Sequence, residues 1–341
     1  MKFLSFIKEN EERLGVFVDN KIYDLEKSGS EIGIQNTPSK MEIFLQDWDR
    51  NFDNAQKIQD KIKSGEISKE EKSTDIRIIS SVPHPTSCRD GYAFRQHVET
   101  ARRNRSVEMI PEFDQFPVFY FTNHNSIIGK GEVIVEKDQL DKLDFELEAA
   151  ILIKKAGKNI HAQNADDYIA GYMIMNDFSA RALQMQEMKL NLGPAKGKDF
   201  ATALGPFLVT VDELEKYKIK TPSGNKYDLQ MKAFHNGKEI SRGNLKDMNW
   251  TFAEIIERAS YGVELLPGDV IGSGTVGTGC YLELNGTWAL EAKKKGEDFK
   301  PIWLNDGDII ELEITELGRL KNKIVKSKSE YSILNRINKA N

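Results

Sequence analysis

Short segments rich in β-forming residues recur at close intervals from residue 86 onward, and this recurrence constrains the fold more than any other feature. Helical patterns are fewer: Phe178–Met188 and Thr251–Ser260 have helical spacing, and residues 165–173 have helical propensity. Many strands with few helices predict an α+β fold, mostly β, with a barrel- or sandwich-like domain. The predicted strands are Pro117–Phe121, Gly131–Val135, Phe145–Ile153, Pro206–Val211, Leu229–His235, Val270–Ser273, Cys280–Leu284 and Ile309–Ile314.

The leading part of the chain has a different pattern and is predicted to form a small N-terminal domain over residues 1–82. Residues 14–25 alternate apolar and polar around a central Asp-Asn pair, which is typical of a hairpin. Residues 39–75 have helix-like spacing with many Lys and Glu, as a solvated surface helix does. A pair of prolines beginning at Pro83 excludes helix and marks the boundary to a second domain over residues 83–341.

Composition limits the classes of partner and the compartment. The 341 residues carry 48 Lys and Arg against 53 Asp and Glu, a net charge of -5, which argues against nucleic acid and anionic membranes as partners. The 17 Phe, 10 Tyr and 4 Trp exclude a fully disordered chain. Cys88 and Cys280 are read as reduced thiols, because two cysteines make no disulfide framework. Residues 1–15 lack the apolar core of a signal peptide, so a cytoplasmic location is predicted.

Acids alternate with apolar residues where a predicted buried strand begins. On a strand, Asp144, Glu146 and Glu148 point to one side, while the residues between them face the core. Neighbouring buried carboxylates repel one another, and a bound divalent cation removes that penalty. Ligation by oxygen alone suits Mg²⁺, Ca²⁺ or Mn²⁺ better than zinc. The alternative is the solvated face of an amphipathic strand.

Two further groups offer an acid or an imidazole. Asp177 ends an apolar segment just before a predicted helix, where it could cap that helix or bring another ligand to a cation. Asp90 and His97 lie seven positions apart, and an imidazole is suited to activating water near neutral pH. A single His is more often structural, so His97 requires a partner from elsewhere in the chain.

A glycine-rich segment, Pro267–Gly279, precedes the last of these candidate residues, Glu283, which is predicted to lie on the following strand. The segment has neither the GK[ST] of a phosphate loop nor the GxGxxG of a dinucleotide site. Its glycines allow the backbone to approach a small ligand closely.

Taken in order, these groups resemble the fumarylacetoacetate hydrolase family. The resemblance covers about residues 83–325 and depends on six motifs in the family's order. They are D-x-Y-x-x-R-Q-H at Asp90–His97, E-L-E at Glu146–Glu148, M-N-D-F-S-A-R at Met175–Arg181, L-G-P-x-x-G-K at Leu192–Lys198, S-G-T at Ser273–Thr275, and the late glutamate Glu283.

The resemblance implies a small N-terminal domain, a catalytic domain with the family's mixed β-sandwich roll, and a homodimer. It also implies one divalent cation, Mg²⁺ or Ca²⁺ with Mn²⁺ as a further possibility. The implied metal ligands are Asp90, Glu146, Glu148 and Asp177.

Many family members place the catalytic His and Glu on one short mobile helix. Fumarylacetoacetase proper instead pairs the His of R-Q-H with the late glutamate, and this chain has both, as His97 and Glu283. The resemblance is therefore closest to that enzyme. It implies oxyanion stabilisation by Arg181, Gln184 and Lys198, and substrate contacts by Tyr92, Tyr120 and Thr275.

The implied reaction is metal-dependent cleavage of a C–C bond in a 1,3-diketo acid, as when fumarylacetoacetate from tyrosine catabolism gives fumarate and acetoacetate. The alternatives are an acylpyruvate hydrolase, a 2-oxo acid decarboxylase or hydratase, and an inactive metal-binding homologue. The chain departs from the family pattern at Met188, where a tyrosine is expected. The arginine expected after R-Q-H is out of register, with Arg102, Arg103 and Arg105 nearby. Both departures concern the distal end of the substrate pocket.

Overall fold

The structure is a computed structural model that describes residues 1–337, and its framework is a set of short strands. The α+β class and the sandwich of sheets predicted from the sequence are confirmed. The strands are β1 Lys2–Lys8, β2 Glu11–Val18, β3 Lys21–Asp24, β4 Arg77–Ile78, β5 Ser87–Gly91, β6 Phe119–Thr122, β7 Ile127–Ile128, β8 Gly131–Val135, β9 Leu143–Asp144, β10 Leu147–Ile153, β11 Gly157–Lys158, β12 Ile169–Asp177, β13 Ser179–Ala180, β14 Thr202–Thr210, β15 Lys218–Thr221, β16 Gly224–Tyr227, β17 Gln230–His235, β18 Lys238–Asn244, β19 Glu264–Leu265, β20 Asp269–Gly272, β21 Ile309–Ile314 and β22 Gly318–Lys326.

Helices lie between these strands, and three of them carry residues of the candidate site. They are α1 Leu25–Glu31, α2 Met41–Phe44, α3 Trp48–Lys63, α4 Arg95–Arg103, α5 Lys137–Leu140, α6 Ala162–Ala165, α7 Arg181–Glu187, α8 Phe252–Ser260, α9 Tyr281–Lys295 and α10 Leu334–Ile337, with short 3-10 segments at Leu45–Asp47, Pro111–Asp114, His124–Ser126, Asp166–Tyr168, Met188–Leu190, Val211–Tyr217 and Leu245–Asp247. Within residues 1–337, every helix is too short or too polar to cross a membrane.

The largest sheet has eleven strands, and its central path runs β3-β2-β1-β14-β12-β10-β20-β5-β6. At its centre, β10 pairs antiparallel with β12, so that Leu147 lies opposite Asn176. On the other side, β10 pairs with β20, which runs parallel to β5. The last residues of β5, the first residues of β10 and the last residues of β12 therefore lie in one region of the sheet.

A second sheet packs on one face of the first, in the order β18-β17-β21-β22-β8. Leu147 and Ile151 of β10 belong to the same core cluster as Met231 of β17 and Leu312 of β21, and all four side chains are buried. This shared core makes the two sheets a sandwich.

The helices of the N-terminal segment cover the opposite face of the large sheet. Trp48 and Ile58 of α3 share a core cluster with Leu152 of β10 and Met173 of β12. Both faces of β10 are therefore buried, which explains why its sequence is an almost continuous apolar run.

The large sheet also continues into the N-terminal segment. Lys2 of β1 lies opposite Val209 of β14 in an antiparallel pair. A single sheet thus includes strands from both sides of the boundary predicted at residue 82, and the division into two domains stays a prediction.

The hairpin predicted for residues 14–25 is confirmed. Asp19 and Asn20 form its turn with φ of 48° and 63°, the left-handed values of a tight two-residue hairpin turn. The predicted helix over Thr251–Ser260 is also confirmed, and Thr251 and Glu254 form a capping box at its start.

Two predicted elements are wrong. Residues 165–173 were expected to be helical, but their second half belongs to β12, which is buried along its whole length and contains β-forming Ile and Tyr. The strand expected at Cys280–Leu284 is instead the beginning of α9. The cause is a capping carboxylate distant in sequence, because Asp144 accepts hydrogen bonds from the backbone N–H groups of Tyr281 and Leu282 at 2.7 and 2.9 Å.

Candidate active site

Three carboxylates converge where the central strands of the large sheet end. Asp90 on β5 is opposite Gly272 of β20, and Gly272 is in turn opposite Ala150 of β10. A Cβ on Gly272 would lie 2.5 Å from Oδ1 of Asp90, so this close approach requires glycine. One oxygen from each of Asp90, Glu146 and Glu148 lies within 4.8 Å of the others.

Asp177, the fourth predicted ligand, joins this cluster through a lysine. The ammonium of Lys198 lies 2.5 Å from Oε2 of Glu146 and 2.8 Å from Oδ2 of Asp177. The hydroxyl of Tyr120 also donates to Asp177. The alternative role of Asp177 as a helix cap is wrong, because α7 begins at Arg181 and Ala180 occupies its N-cap position.

The environment divides these acids into two electrostatic groups. Burial and the charge of Asp177 raise the pKa of Asp90 to about 7, and burial and Asp90 raise the pKa of Glu148 well above its usual range. Burial acts in the same direction on Glu146, but Lys198 and Arg181 outweigh it and lower the pKa of that carboxyl to about 2. At Asp90 the charge of Lys198 is outweighed by burial and the neighbouring acids, so the positive charge of the site chiefly compensates Glu146.

The donor set fits a hard divalent cation. Oε2 of Glu148 and Oδ1 of Asp177 are buried and have no hydrogen-bond partner among the described residues. Buried carboxylate oxygens without partners are costly, and an oxygen-binding cation such as Mg²⁺, Ca²⁺ or Mn²⁺ would satisfy them. The alternative of a solvated strand face is wrong, because Glu148 is 0% exposed. The residues that would hold the cation are Asp90, Glu146, Glu148 and Asp177.

An imidazole and a carboxylate form a buried pair beside this cluster. Nδ1 of His97 on α4 lies 2.6 Å from Oε2 of Glu283 on α9. The backbone N–H of Thr278, in the glycine-rich segment, donates to Oε1 of Glu283 at 2.9 Å. Glu283 was expected on a strand and instead lies in the first turn of a helix, where it still reaches His97.

Asp144 has a different environment from the two acids that follow it. The chain does not continue as one regular strand from Asp144 to Glu148, because β9 ends at Asp144 and β10 begins at Leu147. Nε of Arg181 donates to Asp144 at 2.9 Å, and Nη2 of Arg181 donates to Glu146 at 2.8 Å. With its bonds to the start of α9, Asp144 therefore links Arg181 to the helix that carries Glu283.

The remaining predicted residues surround these groups. Arg181 donates to the side-chain oxygen of Gln184 at 2.9 Å, and Thr275 donates to Oε1 of Glu148 at 3.3 Å. The ring of Tyr92 meets the ring of His97 edge to face, with 5.8 Å between centroids. The structure thus brings all twelve predicted site residues into one region. Of the residues that depart from the family pattern, Met188 is half exposed.

Sequence reasoning missed two residues next to the imidazole pair. The side-chain amide of Asn104 donates to the backbone carbonyl of Glu283 at 2.9 Å. The sulfur of Cys280 lies within 4.8 Å of a ring nitrogen of His97 and of a carboxylate oxygen of Glu283. Cys280 lies three positions before Glu283, which could have indicated that it is near the site. Nothing in the sequence indicated that it lies near His97.

Comparison with known proteins identifies the family. The family model for the C-terminal part of fumarylacetoacetate hydrolases matches residues 86–325. The oxaloacetate tautomerase YisK of Bacillus subtilis is 26% identical over 336 residues, which cover 95% of this chain and 100% of the relative. The fumarylacetoacetase of Oryza sativa is 30% identical over 271 residues, which cover 67% of this chain and 60% of the relative.

Solved structures share the fold. A fumarylacetoacetate hydrolase from Exiguobacterium antarcticum superposes with a TM-score of 0.66 at 22% identity, covering 96% of this chain and 100% of that one. A maleylpyruvate hydrolase from a Sphingobium species, in complex with manganese(II) and pyruvate, gives a TM-score of 0.66 at 19% identity with the same coverage.

Relatives at similar identity bear the names of a tautomerase and of a hydrolase, so the comparisons do not support the narrower resemblance to fumarylacetoacetase above other members. They show the family. The chain belongs to the fumarylacetoacetate hydrolase family and is an enzyme of the hydrolase or tautomerase type found there.

Proposed function

We propose that this protein is a metal-dependent hydrolase that cleaves a C–C bond in a small 1,3-diketo acid, with fumarylacetoacetate as the first substrate to test. The observation that carries the proposal is the buried pair of His97 and Glu283 beside a cluster of carboxylates suited to a hard cation. Such an imidazole–carboxylate pair is the arrangement that activates a hydroxyl or a water in hydrolases. The same pair could also transfer the proton in a tautomerisation, so the products distinguish the two reactions.

A divalent cation held by the four carboxylates would polarise the substrate carbonyl and stabilise an enolate leaving group. The protein's own contribution begins with orientation. Arg181 and Lys198 fix Glu146 from two sides, with bonds of 2.8 and 2.5 Å. The acids are therefore held in place before any ligand arrives.

His97 acts as the general base. The carboxylate of Glu283 accepts a hydrogen bond, so Nδ1 of His97 carries the proton and Nε2 is free to take one from water. The water oxygen then attacks the distal carbonyl of the substrate, and Glu283 stabilises the imidazolium that forms. When the C–C bond breaks, the enolate takes up a proton and the second product is a ketone acid.

We assign stabilisation of the oxyanion of the tetrahedral intermediate to Arg181, Gln184 and Lys198. The ammonium of Lys198 has three hydrogens, and its two short contacts to acids leave one for the substrate. Gln184 accepts from Arg181 through its oxygen, which leaves its amide NH₂ available. Removal of one such donor raises the barrier by about 2.7–4 kcal/mol.

A second candidate is keto–enol tautomerisation of oxaloacetate. The observation that favours it is the full-length match to the tautomerase of Bacillus subtilis. Tautomerisation needs the cation and a proton donor and acceptor, but no attack by water. The same cation cluster would also serve acylpyruvate hydrolysis and the decarboxylation or hydration of a 2-oxo acid.

A substrate panel separates these reactions. The purified protein is tested with Mg²⁺, Mn²⁺ or Ca²⁺ on fumarylacetoacetate, an acylpyruvate and oxaloacetate, with an EDTA control. The proposal predicts cleavage of a diketo acid that EDTA abolishes. Acceleration of oxaloacetate tautomerisation alone would favour the second candidate, and cation binding without turnover would identify an inactive homologue. The homodimer and the cytoplasmic location stay predictions.

A further inference from the structure

We propose that His97, Cys280 and Glu283 form a second cation site, specific for a thiophilic divalent ion such as Zn²⁺ and separate from the all-oxygen cluster. One ligand atom from each of the three residues lies within 4.8 Å of the others. Their exposed fractions are 8% for His97, 0% for Cys280 and 1% for Glu283. A nitrogen, a sulfur and a carboxylate oxygen thus lie close together among buried residues.

Among residues 1–337, no hydrogen bond explains the position of the Cys280 thiol. It occupies the N-cap of α9 but makes no side-chain capping bond, and Asp144 already accepts from the N–H groups of Tyr281 and Leu282. Cysteine is not among the preferred cap residues. No described residue hydrogen-bonds to its sulfur, which lies buried and faces His97 and Glu283.

The two donor sets select different ions. Zinc is bound by imidazole nitrogen, thiolate sulfur and carboxylate oxygen, often with three protein ligands and one open position. Soft thiolate ligation disfavours Mg²⁺ and Ca²⁺, which prefer the oxygen cluster around Glu146 and Glu148. A thiolate and a carboxylate together neutralise the two charges of the cation, whereas His97 stays neutral.

Binding requires a small opening of the imidazole–carboxylate pair. Ligand atoms on a tetrahedral zinc lie about 3.3–3.8 Å apart, given bonds of about 2.0–2.3 Å. His97 and Glu283 are 2.6 Å apart, so they separate by about 1 Å. The thiol proton of Cys280 leaves to solvent, and the proton of His97 moves from Nδ1 to Nε2 when Nδ1 binds the metal. No oxidation or bond cleavage is involved.

Occupation of this site inhibits the enzyme, because the metal holds both members of the pair that activates water. This consequence depends on the proposed function, whereas metal binding itself does not. Zinc therefore acts as an inhibitor in the presence of saturating Mg²⁺, and it does so at a site that the activating cation does not occupy.

Co²⁺ serves as the spectroscopic probe for a direct test. The wild-type protein in excess Mg²⁺ is titrated with Co²⁺, and the sulfur-to-cobalt charge-transfer band is recorded. We expect one equivalent of Co²⁺ to produce the band in wild type. The band is lost in Cys280→Ser, and also in Cys280→Ala should the serine variant unfold. Cys88→Ser is the matched control, since Cys88 is equally buried, and it keeps the band.

Activity in Mg²⁺ with added Zn²⁺ gives the second readout. The Cys280→Ser variant requires at least about tenfold more Zn²⁺ for half inhibition, since loss of even an outer-sphere partner costs about 10–100-fold in metal affinity. A charge-transfer band that survives in Cys280→Ser, or is absent from wild type, overturns the proposal. A band in wild type without any hydrolase activity keeps the site and rejects the proposed function instead.

Discussion

Nδ1 of His97 lies 2.6 Å from Oε2 of Glu283, although the two residues are 186 positions apart. A second hydrogen bond connects the helices α4 and α9 that carry them. Asn104 follows α4, and its side-chain amide donates to the backbone carbonyl of Glu283. A Cβ on Gly286 of α9 would lie 2.5 Å from the amide nitrogen of Asn104, so glycine permits this approach. The pair is thus held by two packed helices, which orients it before substrate binds.

Glu283→Gln tests the role of that pair. The variant keeps the size of the side chain but removes the charge that stabilises the imidazolium of His97. We expect kcat for diketo acid cleavage to fall about 10²–10⁴-fold, the usual contribution of general acid–base catalysis, with little change in KM. Steady-state kinetics check this.

Glu291→Gln is the control for this variant, since Glu291 lies exposed on the same helix. It should leave both constants unchanged. Full activity in Glu283→Gln would show that His97 needs no carboxylate partner.

Lys198→Met tests the bridge between the carboxylates. Lys198 is 4% exposed and contacts both Glu146 and Asp177, so its removal takes the ammonium away from Asp177 and leaves Glu146 with Arg181 alone. We expect the metal-free protein to lose about 3–5 kcal/mol of its free energy of unfolding. Added Mg²⁺ should recover part of this loss, because the cation replaces the missing positive charge. Urea denaturation with and without Mg²⁺ measures both effects.

The matched control is Lys196→Met, in which the exposed ion pair with Asp199 is lost. Such pairs contribute only about 0–1 kcal/mol. If both lysine variants behave alike, Lys198 does not compensate the buried acids.

The stability of the metal-free protein should depend on pH through Asp90. Its pKa is raised from 3.8 to about 7 in the folded chain, which therefore holds a proton that the unfolded chain has released. The stability from this group is fully present below pH 3.8 and is lost as pH rises through about 7. Glu146 has the opposite shift, but its effect lies below its ordinary pKa of 4.5, so it does not act on the decline above that pH.

Thermal denaturation in EDTA, at several pH values from about 5 to about 8, checks this expectation. The melting temperature of wild type should fall with pH more steeply than that of Asp90→Asn. Saturating Mg²⁺ should reduce the fall, since a bound ion at about 100 times its Kd adds about 2.7 kcal/mol. Equal slopes for wild type and Asp90→Asn would contradict the raised pKa of Asp90.

Asp144→Asn tests the link between Arg181 and α9. Asp144 is fully buried, pairs with Arg181 and accepts from two N–H groups at the start of the helix. We expect a loss of about 3–5 kcal/mol in unfolding free energy, because Arg181 keeps its charge without this partner. The kcat should fall as well, since both Arg181 and Glu283 lose their orientation. Asp141→Asn, at an exposed position, is the control, and a neutral effect of Asp144→Asn would exclude the link.

The acids of the site could be predicted from local signatures, whereas the other members were implied by the family resemblance. Glu146 and Glu148 alternate with apolar residues, and Asp177 ends an apolar segment. Local sequence patterns do not show that these acids lie close to Asp90. That proximity depends on β20, which pairs with β10 on one side and with β5 on the other. The order of strands in a sheet is set by contacts far apart in sequence, and here the family resemblance supplied it.

The secondary structure of residues 280–284 shows a limit of local patterns. Five apolar and acidic residues rich in β-formers fit a strand as well as a helix. The choice is made by Asp144, which lies 137 positions before Tyr281 and caps the helix from another part of the fold. The same distance in sequence hid the role of Asp144, which local alternation grouped with Glu146 and Glu148.

Hydrolysis in water labelled with heavy oxygen tests the central claim most directly. The enzyme with Mg²⁺ is incubated with fumarylacetoacetate, and the products are examined by mass spectrometry. If His97 and Glu283 activate water, one heavy oxygen enters the new carboxylate of fumarate, and Glu283→Gln slows its appearance in proportion to kcat. Intact, unlabelled diketo acid together with rapid tautomerisation of oxaloacetate by the same preparation would contradict the account.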